Sequence, residues 1–283
     1  MSRAVVNALS VDVEEYFQVG AFETCITRDS WERWPSRVAQ NTGAVLDLFA
    51  RKNVKATFFT LGWVAERHPE LIRRIVADGH ELASHGYAHD RVHSFTPEQF
   101  RADLDRSKKI LEDVAGVSVI GYRAPSFSIG KANRWALDVL AESGYRYSSS
   151  VAPLAHDHYG WPEAPRFVHT PVAGSDMIEF PVTTVDLAGK RLACGGGFFR
   201  LFPYALSRWA IRKVNVEAQQ PAVLYFHPWE VDPAQPRVPG APWKSRLRHY
   251  TNLGAMAGKL EHALDDFAWD RVDRVLGVSH VAG

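Results

Sequence analysis

Cysteine is scarce: Cys25 and Cys194 are the only two in 283 residues. They form no zinc-finger spacing, and with no export signal in view free thiols are expected rather than a disulfide. Long apolar runs are missing too. No stretch approaches the about 18 residues that a membrane span needs. The opening "MSRAVVNALSVDVEEYF" has no extended h-region and is acidic by position 12, which predicts no secretory leader and a cytoplasmic protein. An excess of one charge is also lacking, since 33 Lys and Arg stand against 32 Asp and Glu. Bulk electrostatics therefore call for no nucleic acid or other polyanion. Repeats, low-complexity runs and an obvious linker are absent, and nothing specifies an oligomeric state.

What is present fits a folded globular chain: 46% hydrophobic and 23% charged residues. The nine tryptophans are read mainly as core, although aromatic faces also line sugar sites. Short apolar, β-branched runs at 4–13, 54–62, 117–125, 177–186 and 221–228 read as strands. Residues 36–53, 66–80, 131–144, 203–215 and 251–267 have helical spacing. The clearest helix is 96–116, with Thr96 as N-cap, Pro97 at the first position, Gln99 completing a capping box and Gly116 ending it. Shorter strands are expected in "HELASH" and "YRYSSS". The stretch 228–243 holds five prolines and is expected to be irregular. Strands alternating with helices predict a parallel sheet covered by helices.

Several strands end in ionisable residues. "SVDVEEY" carries Asp12 and Glu14 two apart, on one side of a strand. Burying such groups at the end of an apolar run is costly unless they are paired or bound to a metal. Glu15 reads as a solvated loop start. In "SHGYAHD", His85 and His89 are four apart; on a helical turn they share a face and reach one ion. A solvated pair is the ordinary alternative. Arg123 follows the strand in "VIGYRAPSF", and His227 follows "AVLYF". In a barrel of parallel strands these carboxyl ends converge on one face.

The ordered set "SVDVEE", "GHELASHGYAH", "YRAPSF" and "LYFHP" resembles the polysaccharide deacetylases with a NodB homology domain, carbohydrate esterase family 4, over about residues 8 to 230. "GGGFFRLFPY" and "HPWEVDP…RHYTNL" look like the subgroup found with PEP-CTERM/exosortase exopolysaccharide loci. The resemblance implies an α/β fold, a distorted (β/α) barrel of about seven parallel strands with outer helices. It divides the chain into a barrel, 1–230, and an extension, 231–283, packed on the same domain. It also implies a divalent metal, zinc first, bound by His85 and His89. Asp12 matches the catalytic base, Arg123 the residue that holds it, and His227 the acid. Where members often carry a second aspartate as ligand, this chain has Val13, which cannot coordinate; Glu14 becomes the expected third ligand, with Glu15 as the alternative. The family's aspartate behind the acid histidine is replaced by serines in "YRYSSSVAP", leaving Glu230 and Asp186 as candidates.

Phe127, Gly196, Gly197, Trp229, Arg248 and Tyr250 are candidate substrate contacts, with Trp243 and Arg246 nearby; a simple turn is an equal reading of the glycines, and packing or a solvated basic face is the plainer reading of the Trp, Tyr and Arg residues. His80 is expected to be structural, and His156, His158 and His169 to be loop residues. The implied activity is removal of N-acetyl groups from an N-acetylated polysaccharide or its precursor during exopolysaccharide biosynthesis. An allantoinase-like or other small-molecule amidohydrolase and a non-catalytic glycan-binding protein are the alternatives.

Overall fold

A computed structural model describes residues 5–155 and 160–278. In chain order the strands are β1 (Val6–Val13), β2 (Thr57–Thr60), β3 (Glu81–Ser84), β4 (Gly121–Tyr122), β5 (Tyr147–Ser148), β6 (Ile178–Glu179), β7 (Thr184–Leu187), β8 (Lys190–Ala193), β9 (Val223–Phe226) and β10 (Ala268–Asp270). The helices are α1 (Val38–Lys52), α2 (Gly62–Arg67), α3 (Pro69–Ala77), α4 (Pro97–Ala115), α5 (Trp135–Glu142), α6 (Gly197–Leu201), α7 (Tyr204–Glu217), α8 (Trp243–Tyr250), α9 (Leu253–Asp266) and α10 (Val272–Leu276).

β1 pairs with β2 through residues 10–13, with β9 through 8–11 and with β10 through 6–8. From β2 the sheet continues through β3, β4 and β5 to β6, and every pairing is parallel. The result is a curled barrel of seven strands plus the three-residue β10, wrapped by helices. No strand pairing closes β6 onto β9 among the described residues. There Val223 N–H donates to Thr183 Oγ1 at 2.6 Å and Gly196 N–H to the Tyr225 carbonyl at 2.7 Å.

Strand alternation sorts the core into two layers. Leu9, Val11 and Val13 of β1, with Leu224 and Phe226 of β9, face the helices. Ala8, Phe59, Ala83, Tyr147 and Val223 fill the barrel interior. Continuing the inward parity towards the carboxyl ends gives Ser10, Asp12 and Glu14, then His85, Arg123, Tyr225 and His227. A one-residue slip of any strand would send its polar set to the helical side, so register places the site. Gly121 is required beside Tyr147, because a Cβ there would lie 2.2 Å from the phenol ring.

Local chemistry explains the boundaries. The α4 capping box forms as expected: Gln99 N–H donates to Thr96 Oγ1 at 3.3 Å and Thr96 N–H to Gln99 Oε1 at 2.9 Å, while Gly116 ends the helix at φ +68°. Residues 66–80 instead form parts of two helices. Pro69 starts α3 and forces His68 to a non-helical φ −130°, ψ 55°. The expected strand 177–186 breaks at Pro181, and its second half pairs antiparallel with β8 across the turn Ala188–Gly189, both residues at positive φ. α8, β10 and α10 were not among the expected elements. All three are short, and β10 gains its partner only from β1, more than 250 residues away in sequence.

Candidate metal and catalytic site

Asp12 is 2% exposed and Arg123 is fully buried. Arg123 Nη1 donates to Asp12 Oδ1 at 2.7 Å and to Ser10 Oγ at 2.8 Å; its other nitrogens hold the Ser149 carbonyl and hydroxyl. The guanidinium also lies 4.0 Å over the Phe59 ring. A cation so fully committed fixes one oxygen of Asp12 and leaves Oδ2 turned to the cavity.

Glu14 completes the inward face of β1. Its Oε2 lies 2.8 Å from His89 Nε2 and 3.9 Å from His85 Nε2. Burial works against the carboxylate, but His89, His227 and His85 outweigh it and hold its pKa down at about 2. His85 Nδ1 is 2.8 Å from the Arg123 carbonyl. A carbonyl only accepts, so Nδ1 carries the hydrogen and the neutral ring offers a lone pair at Nε2. Burial drives the His85 pKa down to about 4, which keeps that lone pair available. The two histidines do not sit on a helical turn. After β3 the chain turns through Gly86 at φ +75° and His89 at φ +59°, and this loop turns both imidazoles to Glu14.

Three observations fit a cation. One ligand atom from each of Glu14, His85 and His89 lies within 4.8 Å of the others. Glu14 Oε2 is buried without a hydrogen bond of proper geometry among the described residues, a costly arrangement unless another charge shares the site. Two imidazoles and a carboxylate are also the donor set of zinc-class ions. Glu15 is not a solvated loop start. It is fully buried, and its carboxylate takes the Ser36 hydroxyl and the Arg37 backbone N–H at the start of α1, away from the cluster.

His227 lies across the cluster, with Nε2 3.6 Å from Glu14 Oε1 and 3.9 Å from Asp12 Oδ2. Its Nδ1 and its backbone N–H both meet Glu230 Oε2 at 3.0 Å. Glu230 in turn accepts from buried Arg200 at 2.9 Å. Burial opposes charge on His227, but Glu14, Glu230 and Asp12 raise its pKa to about 9. Glu230 is held at about 2, its own burial overcome by His227 and Arg200. Glu230 therefore stands where a partner of His227 was sought; Asp186 is on the β7–β8 hairpin, bonded to Arg166 and Arg191. The signal was Glu three residues after His227 with Pro at the first helical position, the spacing of a cap. Arg200 gave no signal in sequence.

A cavity of about 630 Å³ opens over these groups, lined among others by Phe127, Gly197, Trp229, Lys244, Ser245 and Arg248. His89, Ser126 and Phe127, all non-glycine residues at positive φ, border it, as strained residues at functional sites often do. Trp229 lines the wall but cannot stack on a sugar. Its ring is held between His227 and His249, at centroid distances of 5.0 and 4.2 Å, and its Nε1–H donates to Glu14 Oε1 at 3.2 Å. His249, which sequence reasoning missed, is kept neutral by burial, with a pKa of about 3, and pairs with Gln235 at 2.6 Å. Gly196 lies under the Tyr225 ring, where a Cβ would come within 2.6 Å, and so packs rather than lining the cavity. Tyr250 packs on Phe22 and His249, and its hydroxyl accepts from Val238 N–H, outside the cavity. Arg246 and Trp243 also lie outside it. His80 is structural, its Nδ1 accepting from Ala56 N–H. His169 bridges to Glu179, and His156 and His158 fall outside the described residues.

Residues 26–148 match the polysaccharide deacetylase family, and residues 149–277 match DUF3473, a domain of unknown function. A peptidoglycan-N-acetylglucosamine deacetylase of Bacillus cereus is 34% identical over 84 residues, 30% of each chain. A chitooligosaccharide deacetylase of a Bradyrhizobium species is 31% identical over 125 residues, 44% of this chain and 51% of that one. The matched part thus spans about half of these curated relatives at most, 30% of one and 51% of the other. A crystal structure from Mycobacterium smegmatis, classed with polysaccharide deacetylases, superposes with a TM-score of 0.63 at 23% identity, covering 98% of this chain and 92% of the other. That likeness establishes the fold.

Proposed function

We propose that the protein is a metal-dependent hydrolase that removes acetyl groups from an N-acetylated glycan. The observation that carries this reading is the placement of Asp12 and His227 beside the Glu14–His85–His89 cluster, inside one cavity. A zinc-class cation held there would supply Lewis acidity, polarising the acetyl carbonyl and acidifying a water.

The chain's own groups do the rest. Arg123 fixes Asp12 Oδ1, so Oδ2 takes the proton of the attacking water. His227 keeps its Nδ1–H on Glu230 and directs Nε2–H into the cavity. As the amide C–N bond breaks, that proton passes to the leaving nitrogen, yielding acetate and a free amine. Glu230, kept ionised by Arg200, meets the Nδ1 side of His227 rather than the Nε2 side that faces Glu14, so its support of the His227 cation does not depend on the charge of Glu14. The cavity volume is in the range that holds a sugar unit.

Within this reading the substrate is an exopolysaccharide or its precursor, modified in the cytoplasm before export. Two free cysteines suit that reducing compartment. The DUF3473 match is consistent with a distinct subgroup, which we take to be the one found at PEP-CTERM/exosortase loci. We take 1–230 as the barrel and 231–283 as an extension packed on it, since β10 lies on β1 and α8 supplies one wall of the cavity. The test is acetate release from N-acetylglucosamine oligomers before and after chelation, beside turnover of small cyclic amides such as allantoin. Chelator-sensitive acetate release supports the reading. Turnover confined to the cyclic amides, or glycan binding without turnover, would replace it.

A further inference from the structure

We propose that α8 docks the protein on an anionic lipid bilayer, with the cavity mouth turned to that surface. α8 reverses the usual placement of apolar side chains. Trp243 and Leu247, one turn apart, are 69% and 60% exposed. With Arg237, Arg246, Tyr250 and Thr251 they line a shallow groove open to solvent. The adjoining face of the same helix, Lys244, Ser245 and Arg248, lines the catalytic cavity. One short helix therefore shows neighbouring faces to the site and to the outside.

Charge selects the occupant. α8 reads "WKSRLRHY" and contains no acidic residue. Among the described residues none of Arg237, Lys244, Arg246 and Arg248 has an acidic partner, and while other exposed cations such as Arg33 and Lys131 also lack one, these four are gathered around a single short helix. In a chain whose charges otherwise balance, this is a local excess of four cations around a protruding Trp and Leu. Tyr and Trp settle at headgroup depth, and Lys and Arg are drawn to anionic lipid. A second copy of this surface would bring like charges together, which disfavours a dimer through it. The docking goes beyond the proposed reaction; only its consequence, that the acetylated sugar is presented on a lipid carrier, rests on that reading.

The test is co-sedimentation of the full chain with vesicles of phosphatidylcholine alone and with about 30% phosphatidylglycerol, at low and high salt. Binding to the anionic vesicles that weakens with salt is expected. Trp243→Ala with Leu247→Ala should reduce partitioning roughly tenfold, and Arg246→Ala should reduce it on anionic vesicles. Far-UV circular dichroism of the double variant should match the parent, which separates lost docking from lost folding. Vesicle binding needs no turnover, so it is judged apart from the deacetylase reading. Failure to bind, equal binding to neutral vesicles, or a lipid-free dimer that the double variant dissolves would overturn the proposal.

Discussion

Glu230 Oε2 sits 3.0 Å from His227 Nδ1, and the same carboxylate is clamped by Arg200 through Oε1. The contact sets the tautomer of His227 and favours its cation. For a general acid, activity requires the protonated form, so it is lost as pH rises through the His227 pKa. Glu230→Gln keeps the shape but removes the charge that raises that pKa. The alkaline limb of kcat should move to lower pH, with kcat falling roughly 10- to 100-fold at alkaline pH, as for other residues that orient a reacting group. Bound metal should stay unchanged. An unmoved alkaline limb would show that Glu230 does not act through His227.

Asp12 and His85 should fail in different ways. Asp12→Asn leaves Glu14, His85 and His89 in place, so about one ion per chain should remain while turnover falls by roughly 10² or more. His85→Ala removes a ligand and should lose both metal and activity. Elemental analysis beside acetate release separates the two. A fully active Asp12→Asn enzyme would remove the assignment of the base.

Part of this site was legible because strand alternation puts Asp12 and Glu14 on one side, while Arg123 and His227 stood out as polar residues at the ends of apolar strands; their roles came from the family resemblance. The route to His85 and His89 was misread as helical. The true device is a loop through left-handed Gly86 and His89, and sequence spacing does not distinguish a loop from a helical turn. The Trp229 stack was illegible for another reason. Its partner His249 comes from α8, beyond a proline-rich stretch whose path depends on tertiary contacts. Likewise β10 has only three residues, too few to show periodicity, and exists as a strand because β1 offers an edge.

Adjacent Glu14 and Glu15 provide a sharper contrast. Alternation sends Glu14 to the imidazoles and Glu15 to the start of α1, where it accepts both the Ser36 hydroxyl and the Arg37 N–H. Glu14→Ala should abolish metal binding with modest loss of stability. Glu15→Ala should instead cost about 1–3 kcal/mol, the usual effect of leaving buried hydrogen-bonding groups without their partner, while metal content and kcat at low temperature persist. Melting curves and metal titrations of both variants check the division. Metal loss in Glu15→Ala with retention in Glu14→Ala would reverse the ligand assignment.

At the opposite end of the barrel, Glu81 offers a pH test unconnected with the metal. It is buried at the start of β3, bonded to Thr57, to Tyr147 Oη at 2.8 Å and to the Asp273 N–H at 3.2 Å. Burial, reinforced by the Asp273 charge, raises its pKa from 4.5 to about 8. The folded protein therefore holds the proton that the unfolded chain releases above pH 4.5. Its stabilising contribution is complete below that pH and disappears as pH rises through about 8. Glu81→Gln keeps the neutral amide in the same pocket and has no proton to lose. The parent should show a falling Tm from pH 5 to pH 9, and the variant a flatter profile that crosses above it near the alkaline end. Parallel profiles would mean that Glu81 is already ionised in the folded protein, with Thr57, Tyr147 and the Asp273 N–H sufficient to hold its charge.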